Sequence, residues 1–581
     1  VLASPEPSTD GNFERIEAII AHEYFHNWTG NRITCRDWFQ LCLKEGLTVF
    51  RDAQFTADMR SAPVKRIEDA IELRGRQFPE DQGPLSHPVR PESFQEINNF
   101  YTATVYEKGA EVIGMLKTLV GDAAYARALD LYFDRHDGQA CTIEDWLAVF
   151  EDTTGRDLSQ FKRWYSQAGT PTVTVSETLD QGTYVLTLRQ TLPPSPTTPD
   201  PQPQVIPFAM GLLDTDGTEI LSTKVLELTA AEQSFRFKLD GATDMPVLSP
   251  LRAFSAPVLL EHATDHAHLL AYDTDSFARW DAGNKMALAG LLASATTAAA
   301  PDGAYIDGIR NVICDDTLDP AYRALMLGTP GQAAIAREIH RLGSIPDPDA
   351  IYAASKALAD AQAEAYADIL PTLYEDHLVS DAYAPDADQS GKRALSNSAL
   401  GLLSRTDGGA CAQSQFERAD NMTQQLSALA CVIKYADAAP ALAQFGEQWG
   451  HDRLVMDKWF GMQPMLAKPQ DAVAVTQRLT QHAAFNWKNP NRFRAVLGAF
   501  GGNHAGFHSA DGSGYALMAD WLIKLDPLNP QTTARMCSVF QSWRRYDDAR
   551  QAHMQNALER IAATAELSRD TTEMVTRILD A

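Results

Sequence analysis

Near its amino end the chain reads His22-Glu23-Tyr24-Phe25-His26, and Glu45 follows after a gap of eighteen residues. An α-helix turns about 100° per residue, so side chains four residues apart lie on one face. Polar residues before this stretch and the glycine that follows it, Gly30, predict a helix over Phe13–Thr29. The two imidazoles would therefore face the same point in space.

Two histidines at this spacing are typical of a zinc site, because each can bind the same ion at about 2.0–2.1 Å. A catalytic zinc keeps three protein ligands and leaves the fourth position to water. We expect His22, His26 and Glu45 to be those ligands, with one Zn²⁺ per chain. Glu23 lies about 60° around the helix from His26, within reach of the water rather than the metal. It is predicted to be the general base.

Glu45 belongs to the segment Asp37–Phe55, whose leucines and phenylalanines recur at intervals typical of a buried helical face. Burying a lone carboxylate is unfavourable unless it is paired with a cation or binds a metal. A solvated glutamate is the alternative interpretation. The pattern favours a third zinc ligand.

The segments around these residues resemble the M1 family of zinc aminopeptidases, and most closely its bacterial aminopeptidase N (alanyl aminopeptidase) branch. The resemblance is carried by His22–Arg32, Lys44–Phe50, Asn98–Ala110, Arg163–Pro171, Phe254–Val258, Asn421–Thr423 and Asn489–Arg492. It implies a metallopeptidase that removes N-terminal amino acids from peptides by attack of a zinc-bound water on the first peptide bond. The family's oxyanion-stabilising tyrosine falls on Tyr106.

The resemblance also implies short peptides with a free N-terminus as substrates. A superhelical C-terminal domain would close over the site and admit them. Arg494 and Arg535 would line the inner face of that domain, near the C-terminal end of a bound peptide. For each arginine, a solvated or salt-bridged side chain is the alternative interpretation.

Two features of the family are missing from this sequence. Members carry a Gly-x-Met-Glu-Asn loop before the zinc motif, whose glutamate holds the substrate's α-amino group, and a β-rich N-terminal domain. Val1 lies only twenty-one residues before His22. We therefore expect the chain to be the C-terminal part of a longer protein, with little or no aminopeptidase activity by itself.

The periodicity of the sequence changes twice and predicts a multidomain, mainly α-helical protein. Residues 1–171 are predicted to be part of a thermolysin-like, helical catalytic domain. Residues 172–258 alternate with a period of two and predict a small β-sandwich. Residues 259–581 return to helical spacing and predict an α-solenoid. The proline-rich stretch Leu192–Pro207 could link two domains, but strand patterns resume after it, so we expect a loop within the sandwich.

The composition of the chain indicates which partners and which cellular location to expect. Fifty Lys and Arg against 76 Asp and Glu give a net charge of −26, which is unfavourable for binding nucleic acid or anionic membranes. No apolar run reaches the roughly eighteen residues of a membrane span. Seven scattered cysteines predict reduced thiols in a cytoplasmic protein. We expect a monomer.

Two further groups contain residue types that bind metals, but their positions in the chain argue against a metal site. Cys35 and Cys42 lie near the zinc motif, although a small buried cysteine is the commoner role. His262, His266 and His268 could form a second site, but they fall at a domain boundary where polar residues are expected. We predict no metal at either.

Three other functions are compatible with the same zinc ligands. They are a thermolysin-like endopeptidase, an epoxide hydrolase of the leukotriene A4 hydrolase type, and a non-catalytic scaffold with an inactive site. The long C-terminal region disfavours the first and the bacterial-type segments disfavour the second. The complete ligand set with Glu23 disfavours the third.

Overall fold

The computed structural model describes residues 4–83, 86–93, 101–195, 198–239 and 244–580. Asn98, Asn99 and Phe100, which belong to one of the M1-like segments, lie outside the described residues. The first unit is mainly helical, with two π-helical segments, Leu73–Gln77 and Thr104–Lys108, and a short parallel strand pair. Its elements are α1 (Asp10–Phe25), β1 (Thr34–Cys35), α2 (Leu41–Met59), α3 (Ala62–Glu72), α4 (Phe78–Asp81), α5 (Gly109–Val120), α6 (Asp122–His136), β2 (Ala140–Cys141), α7 (Ile143–Thr154) and α8 (Arg163–Ser166).

Helix α1 starts and ends earlier than the predicted span Phe13–Thr29. Thr9 is its N-cap, and the side chains of Thr9 and Asn12 form a capping box. The helix ends at Phe25, and His26 is the C-cap residue. His26 keeps right-handed helical angles (φ −57°, ψ −23°), so the four-residue spacing from the first histidine is still helical.

The middle unit is a β-sandwich. Its strands are β3 (Thr172–Asp180), β4 (Thr183–Thr191), β5 (Ile206–Leu213), β6 (Glu219–Leu228), β7 (Glu232–Lys238), β8 (Val247–Pro250) and β9 (Leu259–Glu261). One sheet has the order β7-β4-β3-β9 and the other β6-β5-β8. Strands β3 and β9 are parallel, whereas the other pairs are antiparallel. The proline-rich stretch connects β4 to β5 in the opposite sheet, so it lies within the sandwich.

The third unit consists of helices, with one more π-helical segment at Arg494–Gly498. They are α9 (His266–Tyr272), α10 (Ser276–Thr297), α11 (Gly303–Ile313), α12 (Pro320–Met326), α13 (Gln332–Arg341), α14 (Pro348–Ala365), α15 (Leu370–Glu375), α16 (Ala387–Thr406), α17 (Ala410–Arg418), α18 (Met422–Tyr435), α19 (Ala439–Trp449), α20 (Arg453–Leu466), α21 (Ala472–Thr480), α22 (Pro490–Phe493), α23 (Ala499–Gly502), α24 (His504–Phe507), α25 (Ser513–Leu525), α26 (Pro530–Cys537), α27 (Asp548–Ala562) and α28 (Arg569–Asp580). Aspartates cap many of them, which explains the Asp-rich loops.

The three units share hydrophobic cores. Helices α5 and α7 pack into one core with the sandwich strands, and Ile67 and Ala70 of α3 pack into the core of the third unit. The start of α1 is also bound to the third unit, because Arg393 forms an ion pair with Asp10 at 2.7 Å. Helix α1 is therefore held by the third unit, and α2 by the core shared with the sandwich, to which its Leu43 and Leu47 belong.

Among the residues that the structure describes, no helix is both long enough and apolar enough to cross a membrane.

Candidate metal centre

His22, His26 and Glu45 converge where α1 faces α2. The Nε2 atoms of His22 and His26 lie 3.5 Å and 3.3 Å from Oε2 of Glu45. The two imidazole rings are 4.5 Å apart and nearly perpendicular. In the described part of the chain, this is the one group of three or more His, Cys, Asp or Glu residues whose ligand atoms all lie within 4.8 Å of one another. Such separations suit one ion with bonds of about 2.0–2.2 Å.

The outer nitrogens of both imidazoles are bound to protein groups. Nδ1 of His22 lies 2.6 Å from Oδ2 of Asp52. Nδ1 of His26 lies 3.1 Å from the carbonyl oxygen of Thr29 and 3.2 Å from the hydroxyl of Thr48. A carboxylate or carbonyl acceptor keeps the imidazole proton on Nδ1 and leaves the lone pair of Nε2 to bind a metal. Two such nitrogens and a carboxylate oxygen fit a catalytic Zn²⁺.

The charges in the site favour a cation. Burial opposes ionisation of Glu45, but hydrogen bonds to His22 and His26 hold its pKa well below the usual range. Burial by itself lowers the pKa of His22, yet the Asp52 and Glu45 carboxylates outweigh it and raise that pKa to about 9. The two carboxylates thus stabilise positive charge between them, which a divalent metal ion supplies.

Glu23 and Tyr106 lie beside the three predicted ligands. Glu23 directly follows His22 in α1, and its side chain is exposed. Tyr106 is half-buried in the π-helical segment Thr104–Lys108. Burial and the nearby Glu45 carboxylate raise the pKa of the Tyr106 hydroxyl well above its usual value. That hydroxyl therefore remains a hydrogen-bond donor at neutral pH.

Two glycines allow Glu45 and Tyr106 to come together. A Cβ atom at Gly46 would lie 2.8 Å from the carbonyl carbon of Gly109 and 3.0 Å from its Cα. Helix α2 and the start of α5 therefore touch backbone to backbone, which no larger residue permits. Sequence reasoning missed this contact. Its signal was a glycine directly after Glu45 and another directly after Lys108.

The predicted peptide-binding arginines lie in the third unit, Arg494 in the π-helical segment Arg494–Gly498 and Arg535 in α26. Both are exposed, and Arg494 donates a hydrogen bond to Oδ1 of Asn491 at 2.7 Å. Gly498 lies against the Cβ of Arg494 and against Met536, the residue after Arg535. Their role in substrate binding stays a prediction.

One residue in each of the other candidate metal groups makes a local bond. Nε2 of His262 lies 2.6 Å from Oε1 of Glu177, with which it forms an ion pair when protonated. The thiol of Cys35 donates to the carbonyl oxygen of Gln40 at 3.2 Å. Cys42 is buried, and all seven cysteines are free thiols.

The chain matches family models and known relatives. Residues 1–165 match the model of the peptidase family M1 domain, residues 169–263 match a domain of unknown function with an Ig-like fold (DUF3458), and residues 263–580 match its companion with ARM repeats (DUF3458_C). The whole chain is 44% identical to aminopeptidase N of Caulobacter vibrioides and 41% identical to that of Escherichia coli, and spans 68% of each relative. The chain belongs to peptidase family M1.

The M1 assignment also agrees with a solved structure. The crystal structure of Legionella pneumophila aminopeptidase A in complex with aspartic acid superimposes with a TM-score of 0.84 at 29% identity, covering 100% of this chain and 67% of that one. The predicted resemblance, the multidomain and mainly helical fold, and the M1-type aminopeptidase class are confirmed. M1 aminopeptidases act on peptides and are in general zinc-dependent.

Proposed function

We propose that this chain carries the zinc-dependent active site of an aminopeptidase that removes N-terminal amino acids from short peptides. One observation carries the proposal: the Nε2 atoms of His22 and His26 and Oε2 of Glu45 converge, with Nε2 to Oε2 distances of 3.5 Å and 3.3 Å. A zinc ion bound there supplies Lewis-acid stabilisation of a carbonyl oxygen and lowers the pKa of a water. The remaining chemistry belongs to residues of the chain.

Glu23 is the proposed general base. Its position next to a ligand on α1, with an exposed carboxylate, suits a group that meets both solvent and substrate. It accepts a proton from the attacking water and then gives that proton to the amine nitrogen that leaves when the peptide bond breaks. Proton transfer of this kind contributes about 10²–10⁴-fold to a rate.

Tyr106 is the proposed donor to the oxyanion that forms on the attacked carbonyl. The raised pKa of its hydroxyl keeps the proton in place. A donor that is already oriented when charge develops on the oxygen lowers the activation barrier. Other oxyanion donors contribute about 3–4 kcal/mol. The contact of α2 with the start of α5 brings the segment that carries Tyr106 close to Glu45.

Arg494 and Arg535 are proposed to bind the C-terminal part of the peptide, since both are exposed cations in the third unit. A monomeric state and a cytoplasmic location stay predictions.

The proposed function is tested by following peptide cleavage with the protein in the form that its host cell produces. A peptide with a free N-terminus and the same peptide with an acetylated N-terminus are followed by mass spectrometry. We expect stepwise loss of N-terminal residues from the free peptide alone, loss of the reaction with a chelator, and recovery with added Zn²⁺. Internal cleavage of both peptides would contradict an aminopeptidase and support the endopeptidase alternative.

A parallel assay of the 581-residue chain with an alanyl anilide tests a separate expectation. We expect little or no turnover by this chain alone. Turnover comparable to that of the host-produced protein would show that expectation to be wrong.

A further inference from the structure

We propose that the buried ion pair between Lys108 and Asp81 positions the Tyr106 hydroxyl at the metal centre, which makes Lys108 and Asp81 positioning residues. The inference rests on the proposed function, because it concerns how one of the proposed catalytic groups is held. Nothing in the sequence pattern links Asp81 to this site.

The pair is fully enclosed and fully bonded. Nζ of Lys108 donates to Oδ2 of Asp81 at 2.7 Å, and the two side chains are 1% and 0% exposed. Lys108 also donates to the carbonyl oxygen of Gly169 at 2.9 Å. The carboxylate of Asp81 accepts from the backbone N–H of Gly169 at 2.9 Å and from the hydroxyl of Thr170 at 3.0 Å. The pair therefore joins the π-helical segment to the chain that enters the sandwich.

The energetics argue for a role in geometry. Moving two charges out of water costs several kcal/mol each, and a buried pair is often no more stabilising than two apolar residues of similar size. Burial opposes ionisation of Asp81, but the nearby Lys108 keeps the pKa of the Asp81 carboxyl below its usual value, so Asp81 is ionised. Hydrogen bonds to an ionised group are shorter and stronger than those between neutral groups. Such a pair fixes the place of Lys108 more closely than apolar contacts could.

The opposite end of the same π-helical segment is bound by neighbours of Asp81. Oε1 of Glu80 accepts from the backbone N–H of Thr104 at 2.8 Å and from its hydroxyl at 2.6 Å. Nε2 of Gln77 donates to the same hydroxyl at 3.2 Å. Residues 77–81 thus hold both the first and the last residue of Thr104–Lys108.

Tyr106 lies at the centre of that five-residue segment. A π-helical turn is wider and less stable than an α-helical one, and such turns are frequent at functional sites. A displacement of about 1 Å in a catalytic group costs on the order of 100-fold in rate. A segment that is bound at both ends can keep this π-helical turn and its tyrosine in one place.

The kinetic test uses the host-produced protein and the variants Asp81→Asn and Thr170→Val. We expect Asp81→Asn to lower kcat by about tenfold or more with KM nearly unchanged, since the tyrosine acts in the transition state. Thr170→Val, which removes one of the bonds to Asp81, should have a smaller effect in the same direction. In a Tyr106→Phe background, Asp81→Asn should lower kcat no further, because the hydroxyl that it places is gone.

The matched control is Arg252→Met. Arg252 forms an ion pair with Asp273 that is equally enclosed, with side chains 2% and 0% exposed. Its side chain bonds to Ser249, Glu219, Thr223 and Asp273 and not to the segment Thr104–Lys108. This variant should lose stability while kcat of the folded protein is retained. A loss of kcat in Asp81→Asn that is just as large in the Tyr106→Phe background would overturn the inference.

A second measurement does not depend on activity. Amide hydrogen exchange of the host-produced protein should speed up at residues 102–110 in Asp81→Asn, while α1 is unchanged, and Arg252→Met should leave residues 102–110 protected. Unchanged exchange at residues 102–110 would overturn the inference. Should the wild-type protein lack aminopeptidase activity, the proposed function fails, whereas this exchange result still decides whether Asp81 holds the segment.

Discussion

Histidines four residues apart occur at three places in the chain. Two of these pairs, one in α1 and one that begins at α24, have their rings close together but differ in the groups that surround them. His22 and His26 have Nε2 atoms directed at the Glu45 carboxylate. His504 and His508, whose ring centroids are 4.9 Å apart, both have Nε2 atoms directed at a tyrosine hydroxyl. The residue after His22 is a glutamate, whereas the residue after His504 is an alanine.

The second pair is enclosed by neutral and positive groups. The hydroxyl of Tyr546 lies 3.0 Å from Nε2 of His504 and 3.2 Å from Nε2 of His508. Burial and the charge of Arg550 lower the pKa of His504 to about 4. At the first pair, carboxylates raise the pKa of His22 instead. Spacing brings two imidazoles together, but the neighbouring charges decide whether they can hold a metal.

Removing one imidazole from each region should give the largest contrast. We expect His26→Ala to reduce the zinc content from one ion per chain to nearly none, because a catalytic site has only three protein ligands. His508→Ala should leave the zinc content unchanged. Metal analysis of both purified variants measures this, and a loss of zinc from His508→Ala would contradict the comparison.

The next largest effect concerns the glutamate that the second region lacks. Glu23→Gln should lower kcat by about 10²–10⁴-fold, the contribution of a general base. Zinc content should not change, because Glu23 is not a ligand. Assays of the host-produced protein with an alanyl anilide, together with metal analysis, check both statements. Activity that survives the substitution would show the general-base assignment to be wrong.

Lowering the pH should destabilise the folded protein through His504 in the second region. The folded-state pKa of His504 is lowered to about 4 from an ordinary 6.5, so the unfolded chain binds the proton more tightly. The contribution of His504 to the free energy of unfolding is fully present above pH 6.5. About 3 kcal/mol is lost as the pH falls from 6.5 towards 4. Urea unfolding at several pH values measures it. A matched His504→Gln variant should show a flatter pH dependence.

The outer partners of the rings should give the smallest effect. Asp52→Asn should weaken zinc binding by about 10–100-fold, because the carboxylate that orients His22 is lost. Tyr515→Phe removes the corresponding partner of His508, whose Nδ1 lies 2.9 Å from the Tyr515 hydroxyl, and should leave zinc affinity unchanged. Competition titrations with a chromophoric chelator measure both affinities. Equal affinities in Asp52→Asn and wild type would show that Asp52 does not orient the ligand.

The sequence predicted the parts of this site that depend on local periodicity. The helical spacing of His22 and His26 follows from 3.6 residues per turn, and the helix-borne Glu45 follows from an apolar period. The predicted start of α1 is too late because the capping box lies upstream of the first apolar residue of the helix. Tyr106 was found only through the M1 resemblance.

Contacts between distant segments could not be predicted from periodicity. The Lys108–Asp81 pair joins residues that are 27 positions apart, and the contact of Gly46 with Gly109 joins two helices. Neither leaves a periodic trace in the sequence. A glycine that permits backbone contact looks, in the sequence, like any other glycine.

The most direct test of the central claim is anomalous X-ray scattering at the zinc edge from crystals of the zinc-loaded protein. The account predicts one strong peak per chain, about 2.0–2.2 Å from Nε2 of His22, Nε2 of His26 and a carboxylate oxygen of Glu45. A peak at the His504 and His508 pair, or no peak between α1 and α2, would contradict it.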